Sequence, residues 1–294
     1  MLMDVAVRRE PAALRSRGVI PSASRLQAAA NPTGSTPAGR LAHRLPPGPP
    51  PTKKTMTDDS SQLPSAGDAD DTYLGHLFAN NRRWSKRMTD RDPEYFSRLV
   101  AQQKPRYMWI GCADSRVPAN DIVDLAPGEL FVHRNVANVV VHTDMNCLST
   151  LEYAIDVLKV EHIMVVGHYG CGGVLQTLRG GMDGLADNWL RHVQDVLFRH
   201  TKYFVGLDES TAHDLLCELN VIEQARNVCR TTFVREAWKR GQKLVVHGWC
   251  YGIRDGIAHD MEFTIDGQPA DLLALRDAAV ARRAALTRER KTPV

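Results

Sequence analysis

No stretch of this 294-residue chain approaches the roughly 20 consecutive apolar residues that a membrane-crossing helix needs; runs such as Ile163 to Val166 are far shorter, so no membrane span is expected. Cysteine is sparse as well. Six (Cys112, Cys147, Cys171, Cys217, Cys229 and Cys250) are spread over about 140 residues, which excludes a small disulfide scaffold and points to reduced thiols, a metal, or both. There is no C-x-x-C pair, which argues against a thiol-exchange module. The glycines from Gly167 to Gly173 follow neither G-x-G-x-x-G nor G-x-x-x-x-G-K-[ST], which argues against a phosphate-cradling loop. A basic folded surface is missing too. Residues 1–57 hold seven Arg and two Lys against Asp4 and Glu10, so of the total charge of +3 the remaining 237 residues carry −4. A nucleic-acid partner is therefore discounted.

What is present divides at about residue 70. Residues 1–70 are rich in Pro, Ala, Ser and Arg, include the run Leu45-Pro46-Pro47-Gly48-Pro49-Pro50-Pro51, and keep no sustained apolar period. Such a segment buries too little to offset its ordering entropy and reads as a disordered extension. It lacks the apolar centre of a secretory signal; its arginine-rich, acid-poor character fits either an organelle transit peptide over 1–55 or an over-extended start with Met56 as the true first residue. A reducing, cytoplasmic setting is expected, or an organelle matrix if the transit reading holds.

Residues 71–294 read as one catalytic domain with 43% apolar content across the chain, enough for a substantial core. Tyr73 to Met88 predicts an amphipathic helix, Arg106 to Ile110 a buried strand, Leu130 to His133 a second, and His162 to Gly167 a third. Leu148, Leu151, Ala154 and Leu158 recur at helical spacing. A long helix over about Asn220 to Arg240 stops at Gly241, Lys243 to Trp249 forms another strand, and Ala270 to Leu286 a closing helix. Strands alternating with helices predict an α/β fold: a largely parallel sheet flanked by helices, with an N-terminal helical arm. Cys112 and His168 then fall at carboxyl ends of different strands, the edge where open α/β sheets bind ligands.

The informative stretches are Cys112-Ala113-Asp114-Ser115-Arg116 and His168-Tyr169-Gly170-Cys171-Gly172-Gly173. A lone His-x-x-Cys is weak evidence, since a single His or Cys is more often packed in a core. A catalytic zinc, however, takes three protein ligands and keeps one position open, and two thiolates with one imidazole meet that need. The lack of a fourth Cys or His nearby argues against a closed structural site.

These motifs, 56 positions apart from Cys112 to His168, resemble those of the β-class carbonic anhydrases. The resemblance runs from about Tyr73 to Gly256 through Gly128-Glu129-Leu130-Phe131-Val132-His133-Arg134-Asn135-Val136-Ala137-Asn138 and His247-Gly248-Trp249, and weakens from about Asp260. It implies one zinc per chain on Cys112, His168 and Cys171, with Asp114 and Arg116 as a dyad that gates and orients a zinc-activated hydroxide attacking carbon dioxide to give bicarbonate and a proton. Two thiolates neutralise the ion, so the zinc is expected to be a weaker Lewis acid than one held by three neutral histidines. A same-fold enzyme acting on carbonyl sulfide or carbon disulfide stays open at this point, and a non-enzymatic zinc module more remotely. The family also implies a homodimer or homotetramer, and Leu74, Leu77, Phe78 and Trp84 give the first helix apolar surface for embracing a neighbouring subunit.

Three further residues, Trp109, Arg134 and Tyr251, match the positions of the non-catalytic bicarbonate pocket in the family's allosteric (type II) branch. Arg134 would supply charge and the indole N–H and phenol directional donors. Resemblance implies that bicarbonate there favours an inactive state in which Asp114 leaves Arg116 and takes the open zinc position. Cys147, Cys217, Cys229 and Cys250 are expected to be packed thiols, and His133 and His247 structural groups.

Overall fold

Two strands buried along almost their whole length form the centre of the molecule: β1 (Tyr107–Cys112) and β3 (His162–His168). Their near-continuous apolar sequences are what a strand covered on both faces requires. The computed structural model describes residues 74–101, 103–181 and 183–289; the expectations for 1–70, for Met56 and for a helix start at Tyr73 lie outside the described residues.

β1 pairs in parallel with β2 (Leu130–Asn135) on one side and with β3 on the other, and β3 pairs in parallel with β4 (Val245–Tyr251). β5 (Ala258–Ile265) closes the sheet antiparallel to β4, giving the order β2-β1-β3-β4-β5. The chain leaves β1 toward one edge and returns across it to β3, so the carboxyl ends of β1 and β3 flank the point where the strand order reverses. That point is the standard crevice for ligands in such sheets.

Helices cover both faces. Before the sheet lie α1 (Gly75–Arg91) and α2 (Tyr95–Ala101); α3 (Ala119–Ile122) follows β1. After β2 come α4 (Met145–Glu152), continued by a π-turn over Tyr153–Val157, then, after β3, α5 (Gly172–Arg179), α6 (Leu185–Arg199), α7 (Glu209–Cys229) and α8 (Thr232–Lys239). α9 (Leu272–Glu289) ends the described chain and packs on α7. The larger apolar cluster joins Ile110, Val165 and Val246 of the sheet to Leu216, Leu219 and Ile222 of α7. A smaller one on the other face gathers Trp109, Leu130, Met164 and Val166, with Trp249 and Tyr251 beside them.

The long helix expected over Asn220 to Arg240 is corrected in two ways. It begins at Glu209, where Asp208 caps it by accepting from Thr211 N–H at 2.9 Å, and it breaks at Arg230 and Thr231 before α8. α7 is buried nearly all round, from His213 to Cys229, so its sequence carries little helical alternation to mark the start. β5 was passed over although Met261, Phe263 and Ile265 alternate buried with exposed Glu262 and Thr264. In α1, Leu77 and Phe78 remain about half exposed, while Trp84 meets Phe96 edge to face at 5.7 Å.

α7 can cross β3 closely because Gly167 has no side chain: a β-carbon there would stand 2.6 Å from Val221 Cγ2 and 3.3 Å from Asn138 Oδ1. Gly167→Ala should cost about 1–3 kcal/mol by overpacking, measured by urea unfolding. Combining it with Val221→Ala should cost less than the sum of the two single changes.

Candidate metal centre

Cys112 is the last residue of β1 and His168 the last of β3, so adjacent parallel strands deliver both to one edge. The chain then reverses at Gly170, whose φ of +74° only glycine adopts freely, and returns Cys171 as the residue preceding α5. The ligand atoms of Cys112, His168 and Cys171 lie within 4.8 Å of one another, and all three residues are buried. The two sulfurs are 3.8 Å apart, far beyond a disulfide bond of about 2 Å and equal to the separation of two sulfurs each about 2.3 Å from one tetrahedral ion. His168 Nδ1 lies 3.1 Å from the carbonyl of Tyr169, which fixes the proton there and leaves Nε2 as a lone pair. Nε2 is buried with no hydrogen-bond partner in the chain. Two sulfurs at that spacing and one orphaned imidazole nitrogen are the donor set that a zinc ion fits.

Electrostatics agree with that fit. A hydrogen bond from Cys171, aided by the backbone N–H groups of Asp114 and Ala137, draws the Cys112 thiol well down, while Cys171 is pushed well up by the same bond and by burial. The pair thus shares one proton, and a dication would hold both as thiolates. Ala137 reaches its position through a left-handed backbone at φ 62°, with its carbonyl accepting from Asn220 Nδ2 at 2.9 Å.

Asp114 sits at the rim. Arg116 donates to it three times, from the backbone N–H at 2.9 Å, from Nε at 3.0 Å and from Nη2 at 2.7 Å. Those bonds hold the Asp114 carboxyl well below the usual carboxylate range. Its Oδ2 lies 3.7 Å from His168 Nε2, so the carboxylate borders the space that the three donors face. A cavity of about 350 Å³ opens alongside, lined by Arg116, Tyr169, Gly170, His213, Asp214 and Asp255 among others.

The three residues matched to a bicarbonate pocket are not joined to one another by any hydrogen bond. Trp109 is fully buried and its Nε1 has no partner; Tyr251 packs in the same small apolar cluster. Arg134 donates from Nε to the carbonyl of Cys112 at 2.9 Å and from Nη2 to the carbonyl of Asp114, so it braces the segment that carries the dyad.

A second group, His133, Asp144 and Cys147, also brings ligand atoms within 4.8 Å. It reads as packing, as expected for His133 and Cys147. Asn135 is oriented by two 2.8 Å bonds with Val139 and so presents an N–H to His133 Nε2 at 3.2 Å. Asp144 is committed to Asn146 N–H at 3.0 Å, and burial pushes the Cys147 thiol up to about 12. His247 is likewise structural, between His162 Nδ1 at 3.1 Å and Thr264 Oγ1 at 3.2 Å.

The carbonic anhydrase family model matches residues 107–258, from the start of β1 to the start of β5. The chain belongs to the β-class carbonic anhydrases. It is 43% identical over 197 residues to a carbonic anhydrase of Emericella nidulans, covering 67% of this chain and 86% of that one. Among solved structures it is similar to a Coccomyxa β-carbonic anhydrase in complex with acetazolamide (TM-score 0.67, 38% identity, 75% of this chain and 99% of that one). It is also similar to a β-carbonic anhydrase from Sordaria macrospora described as tetrameric (TM-score 0.62, 33% identity, 65% and 98%). The family's enzymes are zinc lyases that interconvert carbon dioxide and bicarbonate, and the cofactor is one zinc ion. Among the described residues no helix is long and apolar enough to cross a membrane.

Sequence reasoning missed the support behind the site. Tyr169 donates its hydroxyl to Glu218 Oε1 at 2.6 Å, and Arg283 of α9 donates to both oxygens of Glu218 at 2.7 and 2.9 Å. His213 Nε2 meets the Cys171 carbonyl at 2.9 Å. The signal available was a set of charged residues in segments otherwise apolar, but pairing Glu218 with Arg283 across the fold needs the tertiary structure. Arg283→Met should destabilise the protein by about 3 kcal/mol, because it removes the charged partner of a carboxylate that is 1% exposed. Denaturant unfolding of the zinc-loaded protein checks this.

Proposed function

We propose that the chain hydrates carbon dioxide reversibly, with Cys112, His168 and Cys171 as the ligands of the family's zinc and Asp114 with Arg116 as the dyad that orients the nucleophile. The observation that carries this is the donor set itself: two sulfurs 3.8 Å apart beside an unpartnered imidazole nitrogen, bordered by an ionised carboxylate. Zinc, when bound, supplies Lewis acidity that makes water a nucleophile at accessible pH. Asp114 accepts a hydrogen bond from that nucleophile and directs its free lone pair toward the substrate carbon. Arg116 holds the carboxylate ionised and away from the donors through its paired contacts. The products are bicarbonate and one proton, which leaves to solvent or buffer.

Replacing Cys171 by Ser should lower zinc content and turnover together, since too few ligands remain. Asp114→Ala should keep its zinc and lose activity by about a hundredfold or more, because the residue acts only on the nucleophile. Metal analysis beside carbon dioxide hydration rates reads both; a Cys171→Ser protein with full zinc and activity contradicts the assignment. Carbonyl sulfide and carbon disulfide in the same assay separate the sulfur-substrate alternative.

Assembly as a homodimer or homotetramer belongs to the same reading and is supported by the exposed apolar face of α1; so does a place in the cytoplasm or an organelle matrix. Regulation by bicarbonate at Trp109, Arg134 and Tyr251 is supported by two features. The indole N–H of Trp109 is buried without a partner, and Arg134 grips the backbone of Cys112 and Asp114. An anion drawing Arg134 away would loosen the segment that holds Asp114 against Arg116. Asp114 could not both turn in toward the three donors and orient the nucleophile, so the two states would exclude each other. Because the Asp114 pKa is depressed, the residue stays ionised from well below the ordinary carboxylate range upward, and its own protonation adds no slope near neutrality. The expected result is activity that rises steeply with pH through the change of state, with bicarbonate inhibition beyond product competition. Both effects should weaken in Trp109→Ala, Arg134→Ala and Tyr251→Phe; a shallow profile unmoved by all three removes the regulatory part alone.

A further inference from the structure

Far from the metal centre, at the other end of α7, arginines outnumber the carboxylates that could neutralise them. Glu223 is almost fully buried and accepts from His200 Nε2 at 2.8 Å, Arg276 Nη1 at 2.6 Å and Arg199 Nη1 at 2.9 Å, which uses both of its oxygens. Arg226 comes no nearer to Glu223 than 3.8 Å, and its Nε–H is buried with no partner. Burial, together with the like charges of Arg230, Arg276 and Arg199, pushes its pKa below the ordinary guanidinium range. A guanidinium does not give up its proton in a protein, so Arg226 keeps its charge and its unpartnered Nε–H can still donate to an anion.

A cavity of about 410 Å³ lies against this group, between the end of α7, α8 and the connection from β5 to α9. Arg226, Arg230 and Arg235 line one side; Trp238, Pro269 and Leu273 are among the residues of the rest. Neither Arg230 nor Arg235 comes within 4 Å of a carboxylate among the described residues, although Arg235 acts on Glu236 at longer range; the Trp238 indole N–H is committed to the Leu244 carbonyl at 2.8 Å, so the ring offers an apolar face. The volume falls within the range of small-molecule sites, about 300–1,000 Å³. Along α7 the cavity is on the order of 20 Å from His213 and the Cys171 carbonyl, so it is separate from the catalytic crevice.

We propose that this cavity is a binding site for a small organic phosphate carrying at least two negative charges, held by Arg226, Arg230 and Arg235 with its organic part against Trp238, Pro269 and Leu273. Three guanidinium groups around one cavity suit the several oxygens of tetrahedral phosphate better than one planar carboxylate. The excess of positive charge calls for more than one negative charge. The site has no part in the hydration chemistry, so its failure would leave the proposed catalytic residues untouched.

The test is calorimetric titration of the full-length, zinc-loaded protein with fructose 1,6-bisphosphate at fixed ionic strength, with tricarballylate as the carboxylate comparison. The expected result is saturable binding with a Kd below about 1 mM, a rise in Tm of about 5 °C at saturation, and weakening of tenfold or more in Arg230→Ala and in Arg235→Ala. Both side chains are exposed, so these variants keep the fold, and unchanged hydration activity verifies it. Three results overturn the proposal: no saturable heat, binding unmoved by both variants, or tricarballylate bound as tightly as the bisphosphate. A fourth does so too: if light scattering finds that the two variants dissociate the oligomer while the bisphosphate gives no heat, the arginines serve an interface between copies of the chain.

Discussion

The adjacency of β1 and β3 is the constraint on which the rest depends. Because these strands are parallel neighbours that end together, Cys112 and His168 arrive side by side, and a single reversal at Gly170 adds Cys171. Two sulfurs and an imidazole nitrogen buried with no other partner for the nitrogen form a costly arrangement for a protein alone. A divalent cation turns the same arrangement into a favourable one, since it takes both thiolates and the nitrogen at once. The helices and outer strands can be understood as what holds those two strand ends in register and dry.

That support is layered. Gly167 lets α7 lie against β3, α7 carries His213 to the Cys171 carbonyl, and Glu218 ties Tyr169 to Arg283 of α9. The region C-terminal to the family match therefore contributes to the site through the buried ion pair of Arg283 with Glu218. The left-handed turn at Ala137 works from the other side, turning a backbone N–H toward the Cys112 sulfur. Arg116 and Arg134 divide the labour around Asp114. One bonds its carboxylate, the other its carbonyl, so charge on the side chain and position of the backbone are set separately.

Much of this was legible in the sequence, for physical reasons that differ between elements. β1 and β3 were visible as unbroken apolar runs because strands covered on both faces must be apolar throughout. Cys112, Asp114, Arg116, His168 and Cys171 stood out because they cluster in two short motifs, and the structure brings them together at one edge. α7 was placed late and fused to α8, since a helix buried on every side loses the alternation that marks an amphipathic one. β5 kept its alternation but lay where the resemblance faded. Nothing in the sequence pattern singles out the arginines of α7 and α8; only the fold reveals that Glu223 is already shared among Arg199, His200 and Arg276.

The measurement that bears most directly on the central claim is X-ray absorption at the zinc edge of the purified, zinc-loaded protein. The account predicts one zinc per chain with two sulfur neighbours at about 2.3 Å and one imidazole nitrogen at about 2.0 Å, the remaining neighbour being a light atom. A shell of four sulfurs, or one with no sulfur, would contradict it.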